Sequence, residues 1–188
     1  MTREFGATAW GRAWLRQIEP ILIAGDPDRD LVRARSLARR AIDGLCIDGH
    51  RVTARLTERG REHVIVLDIP TWTDREHRTA SEVLAGVDAA HGGDLPDHLA
   101  AALASAGVQI APPVDDIETT GDADATKRHH VLAVCYALAQ RIDEEPVLTL
   151  RLRTPPESSP RVETTTPSGL LALTDIDPAT FYMAAGST

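Results

Sequence analysis

Two stretches decide the fold: Leu45-Cys46-Ile47-Asp48-Gly49-His50-Arg51-Val52-Thr53-Ala54-Arg55-Leu56, and Val64-Ile65-Val66-Leu67-Asp68-Ile69 after a turn around Gly60. Residues 45–48, 52–56 and 64–69 are short runs of β-branched and apolar side chains. Asp48-Gly49 between the first two is a tight-turn signal, and Gly60 punctuates the second junction. Three strands in an antiparallel meander follow from this spacing.

Outward from the meander the pattern becomes helical. Upstream, Trp10, Trp14 and Ile18 fall at i, i+4 and i+8, one buried stripe on a helix that begins near Thr8. A second helix is expected with Asp26 as N-cap, Pro27 at the first position and Gly44 at its end. Its side bearing Leu31, Ala34, Ala38, Ala41 and Ile42 is apolar. Arg29, Arg33 and Arg40 share the opposite side.

Downstream, Thr73-Asp74-Arg75-Glu76 reads as a capping box for a helix with Ala80, Val83, Leu84 and Val87 inward, stopped by His91-Gly92-Gly93. Pro96 opens an Ala- and Leu-rich helix that Gly107 closes. Residues 108–125 read as a loop carrying Asp115, Asp116, Glu118, Asp122 and Asp124. An amphipathic helix over 127–143 follows, with Val131, Val134, Cys135, Leu138 and Ile142 on one face. Leu148, Leu150 and Leu152 alternate with polar residues, which predicts a strand over 147–153. Residues 154–167 are rich in Pro, Ser and Thr, a linker by composition, and Pro178 opens a last helical turn through Phe181 and Tyr182.

The fold class expected is therefore α+β, a small antiparallel meander of about three strands packed with several helices. Three segments are distinguished, 1–92, 93–153 and 154–188, which equally form one compact domain. At 188 residues, 43% hydrophobic and 26% charged, the chain can bury a sizeable core without a staple. Its two cysteines, Cys46 and Cys135, lie in separate apolar runs and read as buried free thiols, which fits a reducing cytoplasm. The N-terminus has no apolar signal region, and no stretch approaches the roughly 20 apolar residues of a membrane span.

The net charge of −8 disfavours a generic nucleic-acid binder, yet residues 1–62 carry twelve Arg against nine acids, while 63–188 carry eight bases against nineteen acids. Polyanion contact therefore falls in the first third. Arg29, Arg33 and Arg40, with Arg51 and Arg55 from the meander, are the candidates, because the planar guanidinium donates paired hydrogen bonds to phosphate. The competing reading is a solvated helix face paired with local acids.

The sequence contains no phosphate-binding glycine loop, dinucleotide fingerprint, His-Glu-x-x-His pair or nucleophile elbow. Asp26, Asp28 and Asp30 mimic the start of a calcium loop, but Leu31 and Leu37 stand where its glycine and closing glutamate belong, so the acids read as stabilising a helix start. Cys135 and His130 point apart on one helix, and Cys135 reads as core. His129 and His130, with Asp122 and Asp124, suggest a metal set; against it, adjacent histidines at a helix start diverge, so helix-start or solvated histidines are expected.

Several pieces together resemble actinobacterial SWIM zinc-finger proteins. Phe5-Gly6-Ala7-Thr8-Ala9-Trp10-Gly11-Arg12-Ala13-Trp14 is similar to their opening, Arg33-Ala34-Arg35-Ser36-Leu37-Ala38-Arg39-Arg40 to the helix after it, and 44–55 to their first hairpin. Gly93-Asp94-Leu95-Pro96, Ala106-Gly107-Val108, Val134-Cys135-Tyr136, Asp143-Glu144-Glu145-Pro146-Val147-Leu148 and Asp177-Pro178-Ala179-Thr180-Phe181-Tyr182 extend the likeness along nearly the whole chain. The departure lies in the zinc motif. Its three cysteine positions hold Thr119, Gly121 and Arg128, and only His130 matches a ligand. The resemblance implies a degenerate SWIM-like loop-helix without that zinc, and residues 119–130 read as mobile by composition. It also implies a non-enzymatic accessory or adaptor protein without a cofactor, docking on a protein partner such as a Snf-type ATPase or helicase. The alternatives are a direct nucleic-acid-binding module and a metal-binding or sensing protein using His129 and His130.

Overall fold

The meander turns where glycine permits it. Gly49 has φ +55°, and Arg59 and Gly60 have +52° and +77°. Positive φ at loop positions matches the right-handed twist of the flanking strands, and glycine adopts it without a Cβ clash. In the computed structural model, which describes residues 5–19, 28–85, 94–121 and 126–156, these turns join β1 (Ile42–Asp48), β2 (Arg51–Glu58) and β3 (Arg61–Asp68) in antiparallel register. The fold is α+β, as expected.

Strand alternation then sorts the residues. Val52, Ala54 and Leu56 of β2 and His63, Ile65 and Leu67 of β3 are buried on one face. Arg51, Arg55 and Val64 lie exposed on the other. A fourth strand, β4 (Glu118–Gly121), extends the sheet beyond β3, with Ile65 opposite Gly121 and Asp68 opposite Glu118. This corrects the expected loop over 108–125, which also contains a short 3-10 turn at Val114–Asp116. Glu-Thr-Thr-Gly has no apolar alternation to announce a strand; the ladder offered by β3 makes it one.

Before the sheet come α1 (Ala9–Ile18) and α2 (Arg29–Arg40); after β3 come α3 (Asp74–Leu84) and α4 (Asp97–Ser105), and after β4 come α5 (Arg128–Glu144) and α6 (Val147–Arg153). Helix α1 buries Trp10, Trp14 and Ile18, the stripe its spacing predicts. The capping box of α3 forms in full: Glu76 N–H donates to Thr73 Oγ1 at 3.3 Å, and Thr73 N–H to Glu76 Oε2 at 3.0 Å. Ala80 is its buried residue; Val87 and the 91–93 stop lie outside the described residues. Gly107, at φ +78°, follows α4 as expected.

Three helix readings need correction. Helix α2 starts later than expected, because Asp28 takes the cap by accepting from Asp30 N–H at 2.9 Å; Asp26 and Pro27 lie outside the described residues. It ends at Arg40, and Gly44 sits within β1. Helix α5 is buried nearly all round, with Leu132, Ala133, Val134, Cys135, Tyr136, Leu138, Ala139 and Ile142 all enclosed. It is a central helix and not an amphipathic one, since α1, α2 and the β1 and β3 strands all pack on it. Finally, 147–153 is helix α6 and not a strand. The leucine alternation is real, but Leu148 with Leu152 and Thr149 with Arg153 are the buried i, i+4 pairs, and a helix serves those better than a strand.

A single hydrophobic cluster runs from Trp10 to Leu152, across the 92/93 division. Residues 157–188, with the expected turn at Pro178, lie outside the described residues.

The start of α1 is held by an acid from the far end of the chain. Asp143 of α5 accepts from Gly6 N–H at 2.7 Å, Thr8 N–H at 2.8 Å and the Thr8 hydroxyl at 2.8 Å. Thr8 Oγ1 in turn accepts from Gly11 N–H at 3.0 Å. Helix α1 has no acid in its own first turn; Asp143 and Asp97, which accepts from Ala9 N–H at 3.0 Å, supply the negative charge its N-terminus favours. The approach is so close that a Cβ at Gly11 would run into the Asp143 carboxylate.

Gly11→Ala therefore reverses the usual sign of such a change. The gain of about 0.5–1 kcal/mol in helix propensity is outweighed by about 1–3 kcal/mol of overpacking, and urea denaturation should show net destabilisation. Asp143→Ala, which strips three donors of a charged acceptor, should cost about 1.5–3 kcal/mol in the same measurement.

Candidate functional site

The inner face of the sheet carries a polar corner. Alternation along β2 sends Glu58 to the side of Val52, Ala54 and Leu56, and alternation along β3 sends His63 to the side of Ile65 and Leu67, opposite Leu56. The first turn of α5 lands on this corner and brings His129 and His130, which are 7% and 1% exposed. The expectation of solvated, diverging histidines is thus overturned. Neighbouring residues lie about 100° apart around a helix, but α5 is enclosed by α2 on one flank and the sheet on another, so both directions lead inward. The two rings sit 4.4 Å apart edge to face, and the His63 ring lies 4.9 Å from that of His130.

Glu58 is the hub. Its Oε2 lies 3.1 Å from His130 Nε2 and 3.8 Å from His129 Nε2. Its Oε1 accepts two hydrogen bonds from Arg33 of α2, from Nε at 3.1 Å and Nη2 at 2.8 Å. Burial would raise the Glu58 pKa, but Arg33 and His130 outweigh it and hold the carboxyl at about 2. His129 moves below the ordinary imidazole value: burial leads, helped by His130 and Arg33, against the pull of Glu58 and Asp30. A His129 kept neutral retains a nitrogen lone pair. Asp30 Oδ1 faces its other nitrogen, Nδ1, at 3.7 Å.

The residues in the zinc-motif positions are placed as follows. Thr119 and Gly121 lie in β4, opposite Leu67 and Ile65. Arg128 turns away to α2, 2.6 Å from Asp28 Oδ2 and 3.6 Å from Asp30 Oδ2, and so fastens the start of one helix to the start of the other. His130 alone of the four enters the polar corner. The expected mobility of 119–130 gives way to strand at 118–121 and packed helix from 128; Asp122 and Asp124 lie outside the described residues.

The five candidate arginines do not form one surface. Arg33 is spent on Glu58. Arg51 makes a forked pair with Asp68 at 2.7 and 3.1 Å on the outer face of the sheet, where Arg55 is also exposed. Arg29 and Arg40 are exposed on α2, which packs on α5 behind the opposite face. Cys135 is buried and its thiol is pushed up to about 12, so it is a core residue. Cys46, expected to be buried, is exposed because β1 turns it to the outer face, opposite Thr53.

Glu58 and His63 were missed by sequence reading, though a signal existed. Each is a titratable residue in register with the buried positions of its own strand. The alternation rule reaches them once the strand ends are extended from Leu56 to Glu58 and from Val64 back to Arg61.

Because the folded Glu58 pKa lies below the ordinary 4.5, its contribution is complete above that pH and is lost as pH falls toward 2. Thermal melts between pH 5 and pH 2 should therefore show a falling midpoint. Glu58→Gln should be less stable than wild type at neutral pH and should flatten that acid dependence. No known protein family, curated protein or solved structure matches the chain.

Proposed function

We propose that the chain is a non-enzymatic accessory protein of the SWIM-like kind that works in the cytoplasm by docking, through the outer side of α2, on an acidic surface of a protein partner, a Snf-type ATPase or helicase being the class the sequence resemblance suggests. One observation supports this reading. Arg29, Val32, Ser36, Arg39 and Arg40 recur at helical spacing along one side of α2, and Val32 is 58% exposed. Arg33, Arg35, Arg51 and Arg128 each meet an acid. Arg29, Arg39 and Arg40 form no ion pair among the described residues: Arg39 lies over the Phe5 ring at 5.2 Å, and Arg40 bonds Ser36.

A cationic row without an ion pair among the described residues, on a chain of net charge −8, runs against the sign of the whole. Complementary charge of this sort directs encounter and selects partners. The apolar Val32 between the arginines favours a protein surface over a phosphate backbone, since protein interfaces place an apolar centre inside a polar rim rich in arginine. Among the described residues no helix is long and apolar enough to cross a membrane.

A second reading, direct nucleic-acid contact, draws on the same cations. It no longer includes Arg33, whose fork is occupied by Glu58.

The test is co-purification from native extract of wild type and of a variant carrying Arg29→Glu, Val32→Asp and Arg40→Glu. The wild type should retain an ATPase of the helicase class. The variant should bind the purified partner at least about tenfold more weakly, the scale of a ~1.4 kcal/mol loss, with an unchanged melt. Absence of any such ATPase overturns the reading. A low-salt duplex shift that weakens steeply with salt and disappears in the variant, without an ATPase partner, establishes the second reading instead.

A further inference from the structure

The polar corner at the start of α5 contains a nitrogen that the fold encloses and does not use. His129 is more than nine-tenths buried, and its Nε2 makes no hydrogen bond. That nitrogen faces Glu58 Oε2 at 3.8 Å, the same oxygen that lies 3.1 Å from His130 Nε2. Buried polar atoms are ordinarily satisfied, so an orphan aimed into a cluster of donors points to something the cluster holds.

The protonation pattern suits a cation. Asp30 Oδ1 stands 3.7 Å from His129 Nδ1, which favours the proton on Nδ1 and leaves the Nε2 lone pair directed at Glu58. Ligand atoms around one tetrahedral ion at 2.0–2.2 Å lie about 3–3.5 Å apart. Of the two separations from Glu58 Oε2, 3.1 Å falls within that span and 3.8 Å slightly beyond it, and the three atoms all fall within 4.8 Å of one another.

We propose that Glu58 Oε2, His129 Nε2 and His130 Nε2 bind a single divalent cation of the zinc class. Two imidazoles and a carboxylate suit zinc and its neighbours and discriminate against the all-oxygen preference of magnesium and calcium. Two further residues act as positioning residues. Asp30 orients His129 from behind, the arrangement in which a carboxylate fixes the tautomer of a metal-bound histidine. Arg33 holds the far oxygen of Glu58 and turns Oε2 toward the imidazoles. The ligand set is separate from the degenerate motif, of which only His130 is shared; Thr119, Gly121 and Arg128 take no part. The ion joins the end of β2 to the start of α5, two elements separated by 70 residues of sequence.

The experiment uses the full chain without a histidine tag, stripped with a chelator and dialysed against zinc chloride, with bound metal read by elemental analysis and affinity by competition with a chromophoric chelator. Wild type should take up about one zinc per chain and melt at a higher temperature with zinc than without. His129→Gln is the decisive variant, because its Nε2 supports no hydrogen bond in the fold. It should keep the metal-free melting temperature and lose both the uptake and the zinc-dependent rise. Asp30→Ala should weaken affinity about 10- to 100-fold, the effect expected of an orienting partner. Cobalt(II) should give the visible absorption of a four-coordinate nitrogen and oxygen site in wild type and not in His129→Gln. Stripped wild type that takes up no zinc overturns the proposal, and so does a His129→Gln variant that binds as wild type does.

Discussion

A carboxylate beneath a sheet survives only where cations meet it, because the cost of removing it from water exceeds any single attraction it gains. Glu58 is met from two directions. Arg33 reaches it from α2 with both arms of its fork, and His130 reaches it from α5 with one imidazole nitrogen. The three elements that converge here are the frame of the molecule: the central strand of the meander, the helix α2 before it and the central helix α5. Apolar packing gives them affinity for one another. The ionic contact gives them register, since a one-residue slip in β2 would turn Glu58 to the outer face and leave Arg33 and His130 unmatched.

Helix α5 receives a second fixed point at its other end, where Asp143 gathers the donors of the α1 start. Between the two points the helix is apolar on almost every side. Polar contacts at its two ends fix where α2 and the sheet meet it and where α1 begins, and midway the Tyr136 hydroxyl donates to Glu19 and accepts from Arg35. Arg128, paired with Asp28 and Asp30, repeats the device at the first turn. A helix with so little polar surface has no orientation of its own, and its termini supply one.

The features legible in the sequence are those governed by local rules. Asp48-Gly49 and Gly60 announce the two turns, Thr73 with Glu76 announces a helix start, and Trp10, Trp14 and Ile18 announce a buried stripe. Each needs only neighbours in the chain. The features that were not legible depend on partners far away. β4 is a strand because β3 offers it a ladder, and α6 is a helix because its i, i+4 residues have a core to enter. Asp28 replaced Asp26 as the cap through a two-residue ambiguity in an Asp-Pro-Asp-Arg-Asp run where either acid fits the rule. The candidate site was half legible: His129 and His130 stood out as a pair, but their burial and their meeting with Glu58 depend on the packing of α5 between α2 and the sheet. The pairing of Arg33 with Glu58 depends on the same packing.

The burial of α5 on all sides also orders events in time. Its walls are α1, α2 and the β1–β3 meander, all contributed by residues before 70, while the helix itself begins at Arg128; the bond from Gly6 to Asp143 closes a loop of 137 residues. Contacts at such separation are reached only after a large entropic cost of loop closure, which places the chain toward the slow end of folding for a mixed fold. During synthesis the first two helices and the meander emerge with the apolar surface meant for α5 still uncovered. Trp10, Trp14 and the inner face of the sheet must wait for the helix that completes them, and any truncation before it leaves that surface facing water. The interval in which a chaperone is needed is thus set by the position of one helix in the order of the chain.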